Sequence, residues 1–283
     1  MAGPSTLMAQ AMVNHLMRGS AGAYTLAGPW KLKLFTANPD FDAGTGGTQL
    51  TGTGYTAGGQ AVTMALASWN AAAAGSPNGK MVSNITVPSW TAGAGDWSGA
   101  VAGGAFIDAG GTNLMWGKAL DTPRTVGNGD SFRFSAAALK LALDQASAAG
   151  ISDFWKAKIL DHFCCTDRSY SAPATAYLAL FTTNPSFLTG VGGTEVAAGD
   201  YARKALTMNA IWDTADANAN VDNTAEIAFA AATAAWGSII GAALVSTASG
   251  AFDMFAGKSY TAVDIGIGDT YKIAAGDFDV SIA

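Results

Sequence analysis

The chain has 283 residues, a formal net charge of -6, only 13% charged residues against 49% hydrophobic ones, and 35 glycines. That length suits two domains of ordinary size. The acidic balance without any Lys/Arg cluster argues against nucleic acid as a partner, and no apolar run approaches the roughly 18 residues that span a bilayer.

In chain order, an amphipathic helix is expected over about Ser5 to Met17, followed by short segments rich in Val, Ile, Leu, Phe and Thr and separated by Gly, Asn, Asp and Pro clusters. These segments place strands near 30–36, 60–66, 81–87, 100–107, 113–118, 131–135 and 139–143. The small, polar stretch Asp144 to Gly150 reads as a linker. A second helix follows over about Ile151 to Phe163, with Ser152 as a candidate cap. Strands are then expected near 175–182, 203–210, 224–230, 238–246, 252–257, 269–274 and 277–282. The predicted fold is all-β: two tandem β-sandwich, jelly-roll-like units over 1–144 and 145–283, each introduced by a short helix and each with its own core.

The second set of elements repeats the first. Lys31-Leu32-Lys33-Leu34-Phe35-Thr36-Ala37-Asn38-Pro39 stands 146 positions before Tyr177-Leu178-Ala179-Leu180-Phe181-Thr182-Thr183-Asn184-Pro185, and Gly46-Gly47-Thr48 precedes Gly192-Gly193-Thr194 by the same offset. Tyr24 with Tyr170 and Tyr55 with Tyr201 keep that register. The offset falls to 144 for Ala61-Val62-Thr63-Met64 against Ala205-Leu206-Thr207-Met208, and to 139 for Trp97 against Trp236. Small drifts between anchors reflect loop lengths, so a whole domain has been duplicated.

Little in either copy resembles catalytic machinery. His15 and His162 occupy equivalent helix ends, which fits a structural role, and no nucleophile elbow or phosphate-binding glycine fingerprint occurs. The run Asp216-Ala217-Asn218-Ala219-Asn220-Val221-Asp222 alternates oxygen side chains, but Val221 and Ile227 stand where a calcium loop needs Gly and Glu, so it reads as a hairpin loop. Cys164 and Cys165 are adjacent and suit buried thiols better than a disulfide or a zinc site. The reading is therefore no enzyme, no metal and no cofactor. Trp97 and Trp236 match across the copies, and Trp69 and Trp212 nearly do; Trp30, Trp90, Trp116 and Trp155 have no tryptophan counterpart and are candidate interface anchors.

The second copy resembles a widespread family of small tailed-phage virion proteins that normally carry one such unit. The residues that carry the resemblance are Leu160-Asp161-His162-Phe163, Ala172-Pro173-Ala174-Thr175-Ala176 running into the Tyr177 to Pro185 strand, Gly192-Gly193-Thr194-Glu195-Val196, Tyr201-Ala202-Arg203, Ala232-Thr233-Ala234-Ala235-Trp236-Gly237 and Gly268-Asp269. The first copy departs from this pattern with Gln49-Leu50 and with Thr56 to Gln60. The resemblance implies a subunit of a virion, made in the host cytoplasm, oligomeric in the particle, with other virion proteins (the major capsid protein or tail proteins) as partners. Small-residue loops such as Ala71 to Gly75 and Thr91 to Gly95 suit close packing on a neighbour. They favour a capsid decoration or cement subunit bridging capsid proteins; the alternative is a tail or fibre component that contributes to binding a host receptor or glycan.

Overall fold

The computed structural model describes residues 4–18, 29–75, 79–144, 149–164 and 170–282. Tyr24 and Cys165, and most of the expected linker, lie outside these segments.

The first half contains α1 (Thr6–Arg18), β1 (Trp30–Ala37), β2 (Thr48–Gln49), β3 (Gln60–Val62), β4 (Ala73–Ala74), β5 (Gly79–Ser83), β6 (Ser89–Thr91), β7 (Val101–Ile107), β8 (Leu114–Arg124), β9 (Ser131–Arg133) and β10 (Lys140–Asp144). The second contains β11 (Ala149–Ile151), α2 (Asp153–Cys164), β12 (Thr175–Thr183), β13 (Thr194–Glu195), β14 (Lys204–Thr207), α3 (Met208–Ile211), β15 (Asn220–Asp222), β16 (Ile227–Ala228), β17 (Gly237–Val245), β18 (Met254–Ile265), β19 (Lys272–Ile273) and β20 (Asp279–Ser281).

Each half is a β-sandwich, and the two follow one plan. A main antiparallel sheet runs β2-β1-β7-β8 with β3 also on β1; its counterpart runs β13-β12-β17-β18 with β14 on β12. Facing it lie short pairs, β10-β5-β4 and β6-β9 in the first half, β15-β20 and β16-β19 in the second. Trp30, Leu32 and Leu34 alternate inward along β1, as Ala176, Leu178 and Leu180 do along β12. On the opposite face of each main sheet a loop phenylalanine seals a small second cluster, Phe41 in one half and Phe187 in the other. Gly117 and Gly257 make room for those rings: a Cβ at either position would collide with the phenyl carbons. These glycines therefore serve close approach, a role their sequence context does not display.

The helices depart from the expectation of two separate cores. Both start alike: Ser5 and Ser152 each accept a bond from a first-turn N–H (Met8 and Trp155, both 3.3 Å) and donate their hydroxyl to a main-sheet carbonyl, Leu114 and Met254. Each helix then crosses to the other half. Besides β8, α1 packs on α3 and β15; besides β18, α2 packs on β5 and β10. The apolar stripe Met8, Met12, Val13, Leu16 and Met17 of α1 corresponds one for one to Trp155, Ile159, Leu160, Phe163 and Cys164 of α2, and all ten side chains are buried. At about 1.5–3 kcal/mol for a fully buried large apolar side chain, neither half can leave its neighbour's helix out without exposing a core face. One continuous apolar cluster accordingly runs through both halves.

Several shorter expectations change too. The segment near 203–210 is four residues of β14 followed by one helical turn, α3. Only Ile227–Ala228 of the segment near 224–230 pairs as a strand. Part of the expected linker, Ala149–Ile151, is β11, paired with β18 at the sheet edge.

Candidate interaction surfaces

The exchanged helices meet at their C-terminal ends. His15 of α1 and His162 of α2 stack with centroids 4.2 Å apart and planes 22° apart. Tyr170 joins them through its backbone: its N–H donates to His162 Nδ1 at 3.0 Å, and its carbonyl accepts from His15 Nε2 at 2.9 Å. One residue earlier, Asn14 Oδ1 accepts from the N–H of Ala215 at 3.0 Å while Asp161 Oδ1 accepts from that of Ala72 at 2.9 Å, the same bond made in both directions across the pseudo-twofold. Lys80 of β5 adds an ion pair to Asp153 at the start of α2, 3.3 Å. This arrangement holds the two halves together.

The second half carries a polar clamp that the first lacks. Arg203 makes a two-pronged bond to Glu195, both contacts 2.7 Å, donates to the carbonyls of Thr247 and Gly250 at 2.9 and 2.8 Å, and lies 4.7 Å over the Phe252 ring. Its side chain is 4% exposed. The Glu195 bonds push the guanidinium pKa further up, and burial beside the same carboxylate raises that of Tyr201. Tyr201 accepts from Leu180 N–H at 2.8 Å, as Tyr55 accepts from Leu34 N–H at 2.9 Å. In the first half Gln49 replaces Glu195 and donates to Tyr55 at 3.3 Å.

In the Asp216 to Asp222 loop, Asp216 Oδ1 accepts from the N–H groups of Asn218 and Asn220 at 2.8 and 3.0 Å, which holds the carboxyl below its usual range. That oxygen closes the turn. Burial, with the neighbouring carboxylates of Asp213, Asp279 and Asp216, pushes Asp222 upward. Among the described residues no group of three or more His, Cys, Asp or Glu converges as a metal site.

All eight tryptophans lie inside the chain. Trp30 packs against Phe106 and Trp116, Trp90 against Phe132 and Phe134, and Trp155 stacks on Phe255 at 4.6 Å. Trp30, Trp90, Trp116 and Trp155 are 0 to 5% exposed, so the repeat-specific rings shape this chain's own core and present no ring face to solvent. Trp116 borders a cavity, about 300 Å³, at the open edge of the first sandwich between β8 and the Phe134 to Leu141 segment. A groove of about 400 Å³ lies farther along β18 in the second half.

The family model described as podophage GP4 fiber I protein gp80 matches residues 3–142 and, a second time, residues 150–281. The chain belongs to this family. No curated protein and no solved structure matches it. The gp80 family is one of phage fibre proteins, so the chain is a phage virion structural component in two tandem copies. Membership does not support head decoration, the leading expectation from sequence; it favours the fibre alternative. The small-residue loops make bonds of their own. Ala72 N–H is taken by Asp161 of α2, Ala73 and Ala74 form β4, and Gly93 N–H bonds Thr53 at 2.8 Å. The backbone of these loops is tied to its own chain, while Ala71, Ala73, Ala74 and Ala94 stay exposed.

Proposed function

We propose that the chain is a structural fibre component of a tailed-phage particle, carrying two fused copies of the gp80-type unit as one rigid block and contributing to contact with the host surface. The observation that carries this reading is the fibre-family match over both halves. The helix exchange supports it: two units locked by a shared core transmit load without relying on a flexible linker. The role is one of assembly and attachment rather than turnover, and its partners are other virion proteins.

The test is to label the protein in intact particles with antibody-bound gold and image them. Label on tail-proximal fibres, together with loss of host adsorption when antibody is bound, is expected. Label distributed over the head would overturn the reading.

A further inference from the structure

At the edge of the sandwich beside β8 the two halves differ in chemistry. Strand pairing sets the correspondence. Gly104 and Phe106 face Lys118 and Trp116, while Ala242 and Leu244 face Lys258 and Ala256, so Lys118 matches Lys258 and Leu120 matches Tyr260. Opposite them, Leu139 N–H donates to Asn84 Oδ1 at 2.8 Å and Phe278 N–H to Asn223 Oδ1 at 2.9 Å. Ala138 therefore matches Asp277, and Lys140 matches Asp279.

In the second half a ring and a carboxylate occupy this edge, and Tyr260 and Asp277 line the groove that lies outside them. Tyr260 reaches over from β18 and donates its hydroxyl to the Asp277 carbonyl at 3.1 Å. Lys258 donates to the same carbonyl at 2.9 Å and pairs with the Asp279 carboxylate. In the first half both groups are gone: Leu120 stands for Tyr260 and Lys140 for Asp279. Gly104 and Leu139 are also smaller than Ala242 and Phe278. What remains is the cavity of about 300 Å³, with Leu32, Phe106, Trp116, Leu120 and Leu139 among its lining and Lys118 and Lys140 at its polar side. The indole nitrogen of fully buried Trp116 has no acceptor among the described residues. Lys118 pairs with the exposed Asp121, which also lines the cavity, at 3.4 Å.

We propose that this cavity binds one aromatic ring bearing a carboxylate. The ring takes the place that Tyr260 fills in the other half, against the partly exposed Leu120, Phe134 and Leu139. The carboxylate takes the place of Asp279, where two ammonium groups replace the single Lys–Asp pair. An apolar cavity of about half this volume is enough to hold benzene, so a ring with a short acidic arm fits. Two ammonium groups, Lys118 and Lys140, against the single carboxylate of Asp121 give the site its preference for an anion. The same chemistry arrives as a free aromatic acid or as a tyrosine next to an aspartate on another chain.

The experiment titrates the whole chain with 4-hydroxyphenylacetate, with neutral 4-methylphenol, and with the dipeptide acetyl-Tyr-Asp-amide, read by ligand-observed NMR. Saturable binding of the acid with a Kd of about 1 mM or tighter is expected, with the neutral phenol at least ~10-fold weaker. Leu120→Tyr, which restores the second half's ring, should weaken the acid at least ~10-fold. Lys140→Asp, at an exposed position that rebuilds the Lys–Asp pair, should remove the advantage of the acid over the phenol. Tighter binding of the dipeptide assigns the source to a protein chain, and tighter binding of the free acid assigns it to a small molecule. Absence of saturable binding by either acid overturns the proposal. So does an unchanged preference in Lys140→Asp, which holds even if Leu120→Tyr fails to fold.

Discussion

His15 lies flat on His162, and a single backbone unit, that of Tyr170, bonds both imidazoles from one side. The bond from Tyr170 N–H requires an unprotonated Nδ1 on His162, and the bond to Tyr170 carbonyl requires a proton on Nε2 of His15. Each ring thus fixes the other's surroundings where α1 and α2 touch across the halves. His15→Ala and His162→Ala should each lower stability in urea unfolding by about 1–3 kcal/mol. The double variant should lose less than the sum, with a coupling of about 0.5–2 kcal/mol. Additive losses would show that the stack carries no shared energy.

The Arg203–Glu195 clamp should be asymmetric in the way buried ion pairs are. Removing Arg203 leaves a largely buried carboxylate and strands the carbonyls of Thr247 and Gly250. Arg203→Met should therefore destabilise by about 3 kcal/mol, whereas Arg203→Met combined with Glu195→Gln should recover a substantial part of that loss. Thermal melts of the two variants side by side decide this. The first half, where Gln49 bonds Tyr55 and no arginine stands in the place of Arg203, already shows that the fold tolerates a neutral version.

The duplication was legible because long, strongly patterned strands such as Lys31 to Ala37 and Tyr177 to Thr183 survive at a constant offset. The two-residue strands β2 and β13 were not, since two residues carry no period. The helix exchange was hidden for a deeper reason: Asn14 and Asp161 read identically whether they bond their own copy's loop or the other's. Repeat-specific tryptophans could not be told from surface anchors by type alone, because a large aromatic serves a core and an interface equally well. The Leu120 and Tyr260 correspondence was present in the sequence, but the drifting offset between anchors concealed it until strand pairing fixed the register.

Asp222 offers a test through pH. Burial and three neighbouring carboxylates raise its pKa in the folded chain, outweighing the bond from Asn220. A raised carboxyl costs nothing below its unfolded value, and the cost appears as pH rises through the folded value. Asp222→Asn keeps an oxygen for Asn220 to donate to and removes the charge. The variant should be more stable than the parent at pH 7, by less than about 1 kcal/mol for so open a site. The gap should close as pH falls to about 4. The difference between variant and parent is the readout, because Asp108 and Asp200, held below their usual range, make both lose stability in acid. A gap that widens toward acid would refute the assigned direction.

The last prediction follows from the exchange of helices. In residues 147–283 expressed alone, α2 would lose β5 and β10, and the face of β15 and α3 that α1 covers would lie open. The stripe of α2 matches that of α1 position for position, from Trp155 on Met8 to Cys164 on Met17. Two copies of the fragment can therefore satisfy each other by swapping α2, a reciprocal exchange of identical elements. The fragment should sediment as a dimer close in size to the intact chain, with a melting temperature that rises with its concentration. Ile159→Asp, which puts a charge in the middle of the exchanged stripe, should abolish the dimer and unfold the fragment. A fragment that is folded, monomeric and indifferent to Ile159→Asp would mean that each half has a self-sufficient core after all.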